Sequence, residues 1–173
     1  MSGIVIYKSK YGATKKYAEW ISEAIGFECV SVQDADINKV VEFDTVILGG
    51  GIYAGGIAIV PFLKKNYSKL KDKKIIVYTC GASPYDEKSV NEVIDKNMKD
   101  ELKGIPVYYC RGGFDFKNMT FMDKTLCKML RKALSKKDPK DYEVWEEALM
   151  SVGENESGDW TDKANLEPLL AAV

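Results

Sequence analysis

Residues 9 to 14 read SKYGAT and lie between an apolar run and a helical pattern, where small and hydroxyl-bearing residues can do chemistry. Ser9 and Thr14 supply hydroxyls, and Gly12 and Ala13 leave the backbone accessible. The first amides of a helix lack partners within it and lie at its positive end, so this turn suits a phosphate. A helix cap formed by Ser9 or Thr14 is the ordinary alternative. The spacing matches neither the nucleoside-triphosphate loop nor the dinucleotide fingerprint, which favours a terminal monophosphate.

Two later loops have a related composition. The segment GGGIYAGG (49–56) sets five glycines around Ile52 and Tyr53, which predicts positive φ angles or a close approach of the backbone to another group. The segment TCGASPY (79–85) follows another apolar run, and its small residues can present amides to the edge of a ring. Each loop alone is compatible with ordinary turn chemistry. Together the three loops predict a pocket for a phosphorylated, planar ligand.

Other kinds of chemistry are excluded by composition. The 173 residues include no histidine, which removes Ser-His-Asp and Cys-His catalysis and histidine-ligated metals. The four cysteines are scattered without a C-x-x-C pair, so we expect core residues, no zinc site and no metal. No apolar run is long enough to span a bilayer, and the first residues lack the pattern of a signal peptide. We therefore expect a cytoplasmic protein.

Apolar runs of strand length alternate with helical patterns over the first two thirds of the chain. The predicted strands are 3–8, 27–32, 44–50, 74–80 and 105–110. The predicted helices are 13–25, 57–70 and 87–102, with one or two turns within 33–43, and then 118–136, 140–151 and 160–172; residues 153–158 are predicted to be a flexible connection. Strands that are apolar throughout favour a parallel sheet with both faces covered. We predict one α/β domain over residues 1–173, in which 141–173 form an acidic helical extension. Ligands bind such sheets at the carboxyl ends of the strands, where the three loops converge.

The three loops resemble those of the flavodoxin family. The resemblance implies a flavodoxin-like doubly wound sheet of five parallel strands in the order 2-1-3-4-5, with helices on both faces and extra C-terminal helices. It also implies FMN as the cofactor. The segment GGFDFKNMTFMDKTLCKML (112–130) is similar to the branch that contains menaquinone-dependent protoporphyrinogen oxidase. By position, the implied cofactor-binding residues are Ser9, Lys10, Tyr11, Gly12, Ala13, Thr14, Gly50, Gly51, Ile52, Tyr53, Ala54, Gly55, Cys80, Gly81, Ala82, Ser83, Gly112, Gly113 and Phe114.

The chain departs from the family pattern at two positions. Tyr11 stands where flavodoxins commonly have a third hydroxyl, so one phosphate contact must come from the backbone or be missing. Tyr53 is the nearest candidate for the aromatic residue beside the ring, where many members have tryptophan. We expect Gly51 to be the residue whose peptide reorients when the flavin is reduced, because glycine tolerates both signs of φ.

Three functions remain open at this point. The first is an oxidoreductase related to protoporphyrinogen oxidase, with a porphyrinogen or quinone as substrate. The second is a soluble electron carrier that serves a redox partner protein. The third is an interaction module that has lost FMN. The sequence identifies no catalytic residue.

Charge is unevenly distributed near the C-terminus. Residues 117–140 contain eight Lys or Arg and two Asp, a net charge of +6, whereas residues 141–173 contain nine acidic residues and one Lys, a net charge of −8. Apolar residues recur at helical spacing within the basic segment, which predicts an amphipathic helix with a cationic face. Such a helix can make weak peripheral contact with the inner face of a membrane. Alternatively, its apolar stripe packs into the domain while its lysines are solvated or pair with the acidic tail. Nucleic acid binding needs more basic and aromatic surface than this and is not expected.

Overall fold

The computed structural model describes residues 2–153 and 156–173, and strands alternate with helices as far as the last strand of the main sheet. Along the chain the elements are β1 (Gly3–Lys8), α1 (Ala13–Ile25), β2 (Glu28–Ser31), α2 (Ile37–Val40), β3 (Thr45–Tyr53), β4 (Gly56–Ile57), α3 (Val60–Leu70), β5 (Lys74–Gly81), α4 (Glu87–Asn97), β6 (Val107–Arg111), β7 (Gly113–Asp115), α5 (Phe121–Leu134), α6 (Val144–Ser151), β8 (Ser157–Asp159) and α7 (Glu167–Ala171). Short 3-10 helices occupy Asp100–Leu102, Pro139–Asp141 and Lys163–Leu166.

The main sheet has five parallel strands in the order β2-β1-β3-β5-β6. Counting only these strands, the order is 2-1-3-4-5, so the predicted doubly wound fold is confirmed. The short β4 folds back against the end of β3 in the antiparallel sense. Because the strands are parallel, all the carboxyl ends meet at one edge of the sheet, and the three predicted loops lie there together.

Helices cover both faces of the sheet, which explains why the central strands are apolar throughout. On one face, Leu63 and Leu70 of α3 pack with Leu48 of β3 and with α2 and α4. On the other face, Tyr17 and Ile21 of α1 pack against the sheet. The C-terminal segment lies on this second face beside β6, where its Leu166 and Leu169 are fully or almost fully buried. The end of the chain is therefore part of the core.

Several predicted boundaries are wrong, and tertiary contacts account for the largest differences. Strand β3 was expected to end at residue 50 but continues through the glycines to Tyr53. The helix predicted at 57–70 begins at Val60 because β4 takes the residues before it, and the helix predicted at 87–102 ends at Asn97. The helices predicted at 140–151 and 160–172 each divide into a 3-10 turn followed by a shorter α-helix.

A second, two-stranded sheet was not predicted. Strand β7 pairs with β8 in the antiparallel sense, so that Phe114 lies opposite Gly158. This pairing corrects the prediction of a flexible connection at 153–158, because residues 157–158 belong to β8; residues 154–155 lie outside the described part of the chain. Gly and Asp are depleted in strands, so the letters SGD carry no local strand signal. The two strands connect the segment after β6 to the chain entering the C-terminal helix.

Two classes of feature are absent from the described residues. Within 2–153 and 156–173, no helix is long and apolar enough to cross a membrane. The same ranges contain no cluster of three or more Cys, Asp or Glu side chains that could hold a metal ion.

Gly49 shows why glycine occurs inside a central strand. Its backbone is extended, so no turn requires it, but a Cβ atom at this position would overlap the ring of Tyr78 on β5. Tyr78 is fully buried, and its hydroxyl donates a 2.9 Å hydrogen bond to the carbonyl of Thr14. The small residue in β3 thus makes room for a ring that ties β5 to the start of α1.

We expect Gly49→Ala to lower the free energy of unfolding by about 1–3 kcal/mol, the usual cost of overpacking a core. Chemical denaturation measures this loss. In a Tyr78→Leu background, the loss of unfolding free energy caused by Gly49→Ala should be smaller by about 1 kcal/mol or more, because the clashing ring is gone. Additive effects of the two substitutions would show that Tyr78 is not the reason for glycine.

Candidate functional site

The first loop, residues 9–14, joins β1 to α1 and leaves the start of that helix without a side-chain cap. Gly12 is the N-cap, with φ of 97°, and Lys16 N–H donates the first helical bond to its carbonyl at 3.0 Å. The Ser9 hydroxyl accepts a 3.1 Å hydrogen bond from Gly12 N–H. The amides of Ala13, Thr14 and Lys15 have no partner among the described residues, as expected at an uncapped N-terminus. Three donors are therefore available at the positive end of α1.

The two hydroxyls predicted to serve this loop lie in different surroundings. Ser9 is half-buried, whereas Thr14 is only 2% exposed and its hydroxyl contacts the thiol of Cys80. Burial raises the pKa of Cys80 to about 12, so this thiol is neutral at pH 7. The Cys80 side chain belongs to the core under the loops. Only its backbone lies at the edge where a ligand would bind.

Tyr11 connects the first loop to α5. Its hydroxyl donates a hydrogen bond to the carboxylate of Asp123, in the first turn of α5, and the Lys10 ammonium pairs with the same carboxylate. The hydrogen bonds from Lys10 and Tyr11 hold the pKa of Asp123 below its ordinary value. The side chain that replaces a third hydroxyl thus attaches α5 to the first loop.

The glycine-rich segment is the end of a strand and a tight hairpin. Positive φ occurs at Ala54 (48°) and Gly55 (74°), the two central residues between β3 and β4, which is the sign pattern of a type I′ turn. The side-chain amide of Asn97, at the end of α4, donates to the Gly55 carbonyl at 2.8 Å and accepts from Ile57 N–H at 3.0 Å. A side chain from α4 therefore fixes the turn and the strand β4 that follows it.

Gly51 is held in the strand by two contacts. It lies in β3 opposite Cys80, and its carbonyl accepts a 3.0 Å hydrogen bond from Ala58 N–H. Reorientation of its peptide on reduction of the flavin stays a prediction, and it would have to break the bond to Ala58. The positive φ angles place the unusual backbone of this hairpin at Ala54 and Gly55 instead.

The side chain of Tyr53 lies between the hairpin and the first loop. Its hydroxyl accepts a 3.3 Å hydrogen bond from Lys10 N–H, and its ring contacts that of Tyr11 edge-on, with 6.2 Å between centroids. A Cβ on Gly51 would come within 2.6 Å of the Tyr53 hydroxyl, so glycine allows the ring to lie flat against the strand. Tyr53 is 37% exposed and forms the aromatic surface beside the predicted ring position.

The third loop, residues 81–85, has occupied carbonyls and free amides. The Tyr109 hydroxyl donates to the Ser83 carbonyl at 2.6 Å, and the Arg111 guanidinium donates to the Ala82 carbonyl at 3.3 Å. Burial raises the pKa of Tyr109 to about 12, so it remains a donor at neutral pH. The amides of Ala82 and Ser83 have no partner among the described residues. This arrangement presents donors to the carbonyl edge of a ring.

Gly112 brings the segment after β6 against the other loops. Its N–H donates a 2.7 Å hydrogen bond to the Gly81 carbonyl, and an added Cβ would lie 3.2 Å from the Cβ of Ala13. Gly113 packs against the backbone of Gly158 in the two-stranded sheet. Phe114 follows and lines a cavity at the same edge. The predicted site residues are thus gathered at one end of the sheet, around the first loop and this cavity.

The cavity has a volume of about 500 Å³ and lies between the hairpin, the third loop and α4. Its roof is formed by the C-terminal helices, through Leu130 of α5 and Trp145, Ala148 and Leu149 of α6. The remaining lining residues are Ile52, Ala54, Gly55, Gly81, Ala82, Ser83, Pro84, Asp86, Ser89, Val90, Glu92, Val93, Lys96, Tyr109 and Phe114. Seven of the implied cofactor-binding residues line this cavity, and none of residues 9–14 does; the seven are Ile52, Ala54, Gly55, Gly81, Ala82, Ser83 and Phe114.

Polar contacts between α5 and α6 hold the roof. The Arg131 guanidinium donates to the Leu149 carbonyl at 2.8 and 3.2 Å, and the Lys137 ammonium pairs with Glu146 at 2.6 Å. The Lys137 ammonium lowers the pKa of Glu146, which also accepts from Glu143 N–H. The acidic tail therefore neutralises part of the basic segment and at the same time closes the outer side of the cavity.

Sequence reasoning missed three functional contributors: Asp123, Asn97 and Trp145. Asp123 and Asn97 act over separations of 113 and 42 residues, and an isolated acidic or amide residue on a helix has no local signature for such contacts. Trp145 lies in the helix predicted at 140–151, within the acidic extension. The size of its side chain was the available signal, because a large aromatic residue needs an apolar neighbour.

Comparison with known proteins identifies the sequence family. Residues 4–142 match the family model described as a flavodoxin domain. No curated protein matches the chain. None of the comparisons supports the narrower relation to protoporphyrinogen oxidase.

Solved structures with a similar fold include several flavodoxins. A flavodoxin from the domain Archaea is 20% identical, with 79% of this chain and 98% of that chain covered and a TM-score of 0.44. The two-electron reduced flavodoxin of Megasphaera elsdenii is 21% identical, with coverages of 62% and 82% and a TM-score of 0.46. A flavoprotein from Lactobacillus acidophilus, solved in complex with FMN, is 19% identical, with coverages of 64% and 91% and a TM-score of 0.42.

The family match covers most of the chain, from β1 to the turn before α6. It includes all three loops and the segment that carries Gly112 and Phe114. Membership supports FMN as the predicted cofactor. The chain belongs to the flavodoxin family.

Proposed function

We propose that the protein binds FMN through the start of α1 and uses it in a redox reaction. The observation that carries this proposal is the uncapped N-terminus of α1 beside a cavity formed by the hairpin and the third loop. A helix start with free amides favours a phosphate, and a mainly apolar cleft with a few converging donors favours a planar ring. The two features lie at the same edge of the sheet.

The residues at the first loop fit a phosphate. A Cβ at Gly12 would have no atom within 4 Å, so the space over the start of the helix is open. The amides of Ala13, Thr14 and Lys15 and the half-buried Ser9 hydroxyl would hold the group. Oriented amide donors at a helix terminus bind phosphate without a dedicated cationic side chain. The missing third hydroxyl at Tyr11 is therefore compatible with binding.

The chain's own groups would orient the ring and exclude water. The amides of Ala82 and Ser83 are available as donors, and Tyr53 offers an aromatic surface on the side of the first loop. Leu130, Trp145 and Leu149 cover the outer side of the cavity. FMN supplies hydride and single-electron chemistry when bound, so the protein needs to provide binding, orientation and electrostatics. The lack of histidine is consistent with this division of labour.

We further propose that the protein is an oxidoreductase with an organic substrate of its own. This proposal is supported by the roofed cavity, since a carrier must present the flavin edge to a partner protein while an enzyme must enclose a small molecule. The similarity of residues 112–130 to the protoporphyrinogen oxidase branch supplies the substrate class, a porphyrinogen with a quinone as acceptor. An electron carrier is the alternative, supported by the shared fold.

Substitution of Gly12 tests FMN binding at the first loop. Gly12→Asp should weaken FMN binding by roughly 2–4 kcal/mol, because a carboxylate would stand beside the phosphate dianion. Gly12→Asn is the matched control, since it has the same shape without the charge; its side chain can cap the free amides, so it should weaken binding as well, but by less than Gly12→Asp. Fluorescence titration of the apoprotein measures both dissociation constants. Equal affinities in the two variants would show that the phosphate binds elsewhere.

Filling the cavity separates the enzyme from the carrier. Ala148→Trp places a large side chain in the roof of the cavity and should lower porphyrinogen oxidation with a quinone analogue at least about tenfold per bound flavin; FMN content is measured alongside, because the ring shares this cavity. Ala133→Trp, on the exposed side of α5, is the control and should keep full turnover. If the FMN-loaded wild type consumes no porphyrinogen but reduces a redox protein, the carrier replaces the enzyme as the proposed function.

A further inference from the structure

The outward face of α5 is apolar and uncovered. The side chains of Phe121, Met122, Leu126 and Met129 are 85%, 80%, 53% and 67% exposed, and they lie within three turns of one helix. This is the largest group of exposed apolar side chains on a single element among the described residues. Isolated exposed apolar residues are common, but a contiguous group of this size marks a contact surface.

The orientation of α5 is fixed by contacts on its other side. Asp123 pairs with the first loop, Arg131 donates to Leu149, and Leu134 is buried at the end of the helix. Rotating the helix to bury its apolar residues would break these contacts. The expectation that the apolar stripe packs into the domain is therefore wrong for most of its members.

Lysines flank the exposed apolar residues. Lys128 and Lys132 lie one helical turn apart on α5, Lys136 follows in the turn just after the helix, and all three are exposed. No carboxylate in residues 2–153 and 156–173 lies within 4.0 Å of their ammonium groups. Lys137, by contrast, forms an ion pair with Glu146 of the acidic tail. The outward face of α5 thus combines apolar side chains with cations that have no partner in the described chain.

We propose that this face binds the surface of an anionic phospholipid bilayer. A helix with large apolar residues on one side and a row of lysines beside them lies in the interface, with its apolar side chains below the headgroups and its cations among the phosphates. Helix α5 has 14 residues, too few to cross a bilayer, so it would lie parallel to the surface. The charge complementarity of the three lysines favours lipid over a second copy of this chain, whose corresponding face is equally cationic.

The same helix connects this face to the cavity. Leu130, the residue after Met129, is at once part of the exposed group and part of the cavity roof. A lipid-soluble molecule in the bilayer would therefore meet the apolar face of α5 before it met the cavity. This consequence depends on the proposed function, whereas binding to the membrane does not.

Vesicle sedimentation with the full-length protein tests the proposal. Vesicles containing about 30% phosphatidylglycerol in phosphatidylcholine, at low salt, should bind the protein, and pure phosphatidylcholine should bind it about tenfold less. The Lys128→Glu, Lys132→Glu variant should lose about tenfold or more in partitioning. The matched control, Lys64→Glu, Lys65→Glu, makes the same charge change on the exposed side of α3 and should lose less than about twofold.

A second variant tests the apolar component. Met122→Ser, Met129→Ser should also weaken binding, by about threefold or more, without lowering the unfolding temperature, because both side chains are exposed. Arg131 is left unchanged because it supports α6, and residues 141–173 are retained because Leu166 and Leu169 belong to the core.

The possible outcomes are decisive. Loss of binding in both variants, with the control intact, supports the proposal. Equal losses of vesicle binding in the α5 and α3 charge-reversal variants would overturn it. Unchanged vesicle binding in the Met122→Ser, Met129→Ser variant would overturn it as well. Concentration-dependent self-association that both α5 variants abolish, with no vesicle binding, would assign the face to a second copy.

Discussion

Three backbone amides at the start of α1 have no partner among the described residues, and much of the surrounding structure keeps them available. Gly12 adopts a left-handed conformation at the N-cap and contributes no side chain that could cover them. Ser9 satisfies the amide of Gly12, one residue earlier. The Tyr78 hydroxyl donates a hydrogen bond to the Thr14 carbonyl, and the absence of a side chain at Gly49 leaves space for the Tyr78 ring. The free donors thus depend on packing two strands away, which links the core of the sheet to its binding edge.

The C-terminal helices give this member of the family a modified edge. Asp123 joins α5 to the first loop, and α6 then closes the outer side of the cavity. The acidic tail and the basic segment act as partners at only some positions, since Arg131 and Lys137 contact α6, while Lys128, Lys132 and Lys136 have no carboxylate partner among residues 2–153 and 156–173. One helix therefore has an inner face that builds the site and an outer face that meets the surroundings.

Local patterns predicted a parallel sheet covered by helices, the first loop and the location of the site, because alternation of apolar strands with helices restricts the topology, whereas the strand order was implied by the family resemblance. They failed where long-range contacts decide the conformation. Gly49, Gly50 and Gly51 lie within strand β3, and each is glycine because Tyr78, Ile59 or Tyr53 occupies the space that a side chain would take. These neighbours are not visible in the local sequence pattern. The periodicity of α5 revealed an apolar stripe but not which way it faces. That orientation is set by Asp123, whose partner Lys10 is 113 residues away.

The ratio of the dissociation constants of FMN and riboflavin tests the central claim most directly, since the two ligands differ only in the phosphate. If the free amides of α1 hold that group, FMN should bind the apoprotein at least about a hundredfold more tightly, because two or more charge-assisted hydrogen bonds are lost with riboflavin. Isothermal titration calorimetry of the wild-type apoprotein with each ligand gives both constants. Equal affinities would contradict the account, because the start of α1 would then have no part in binding.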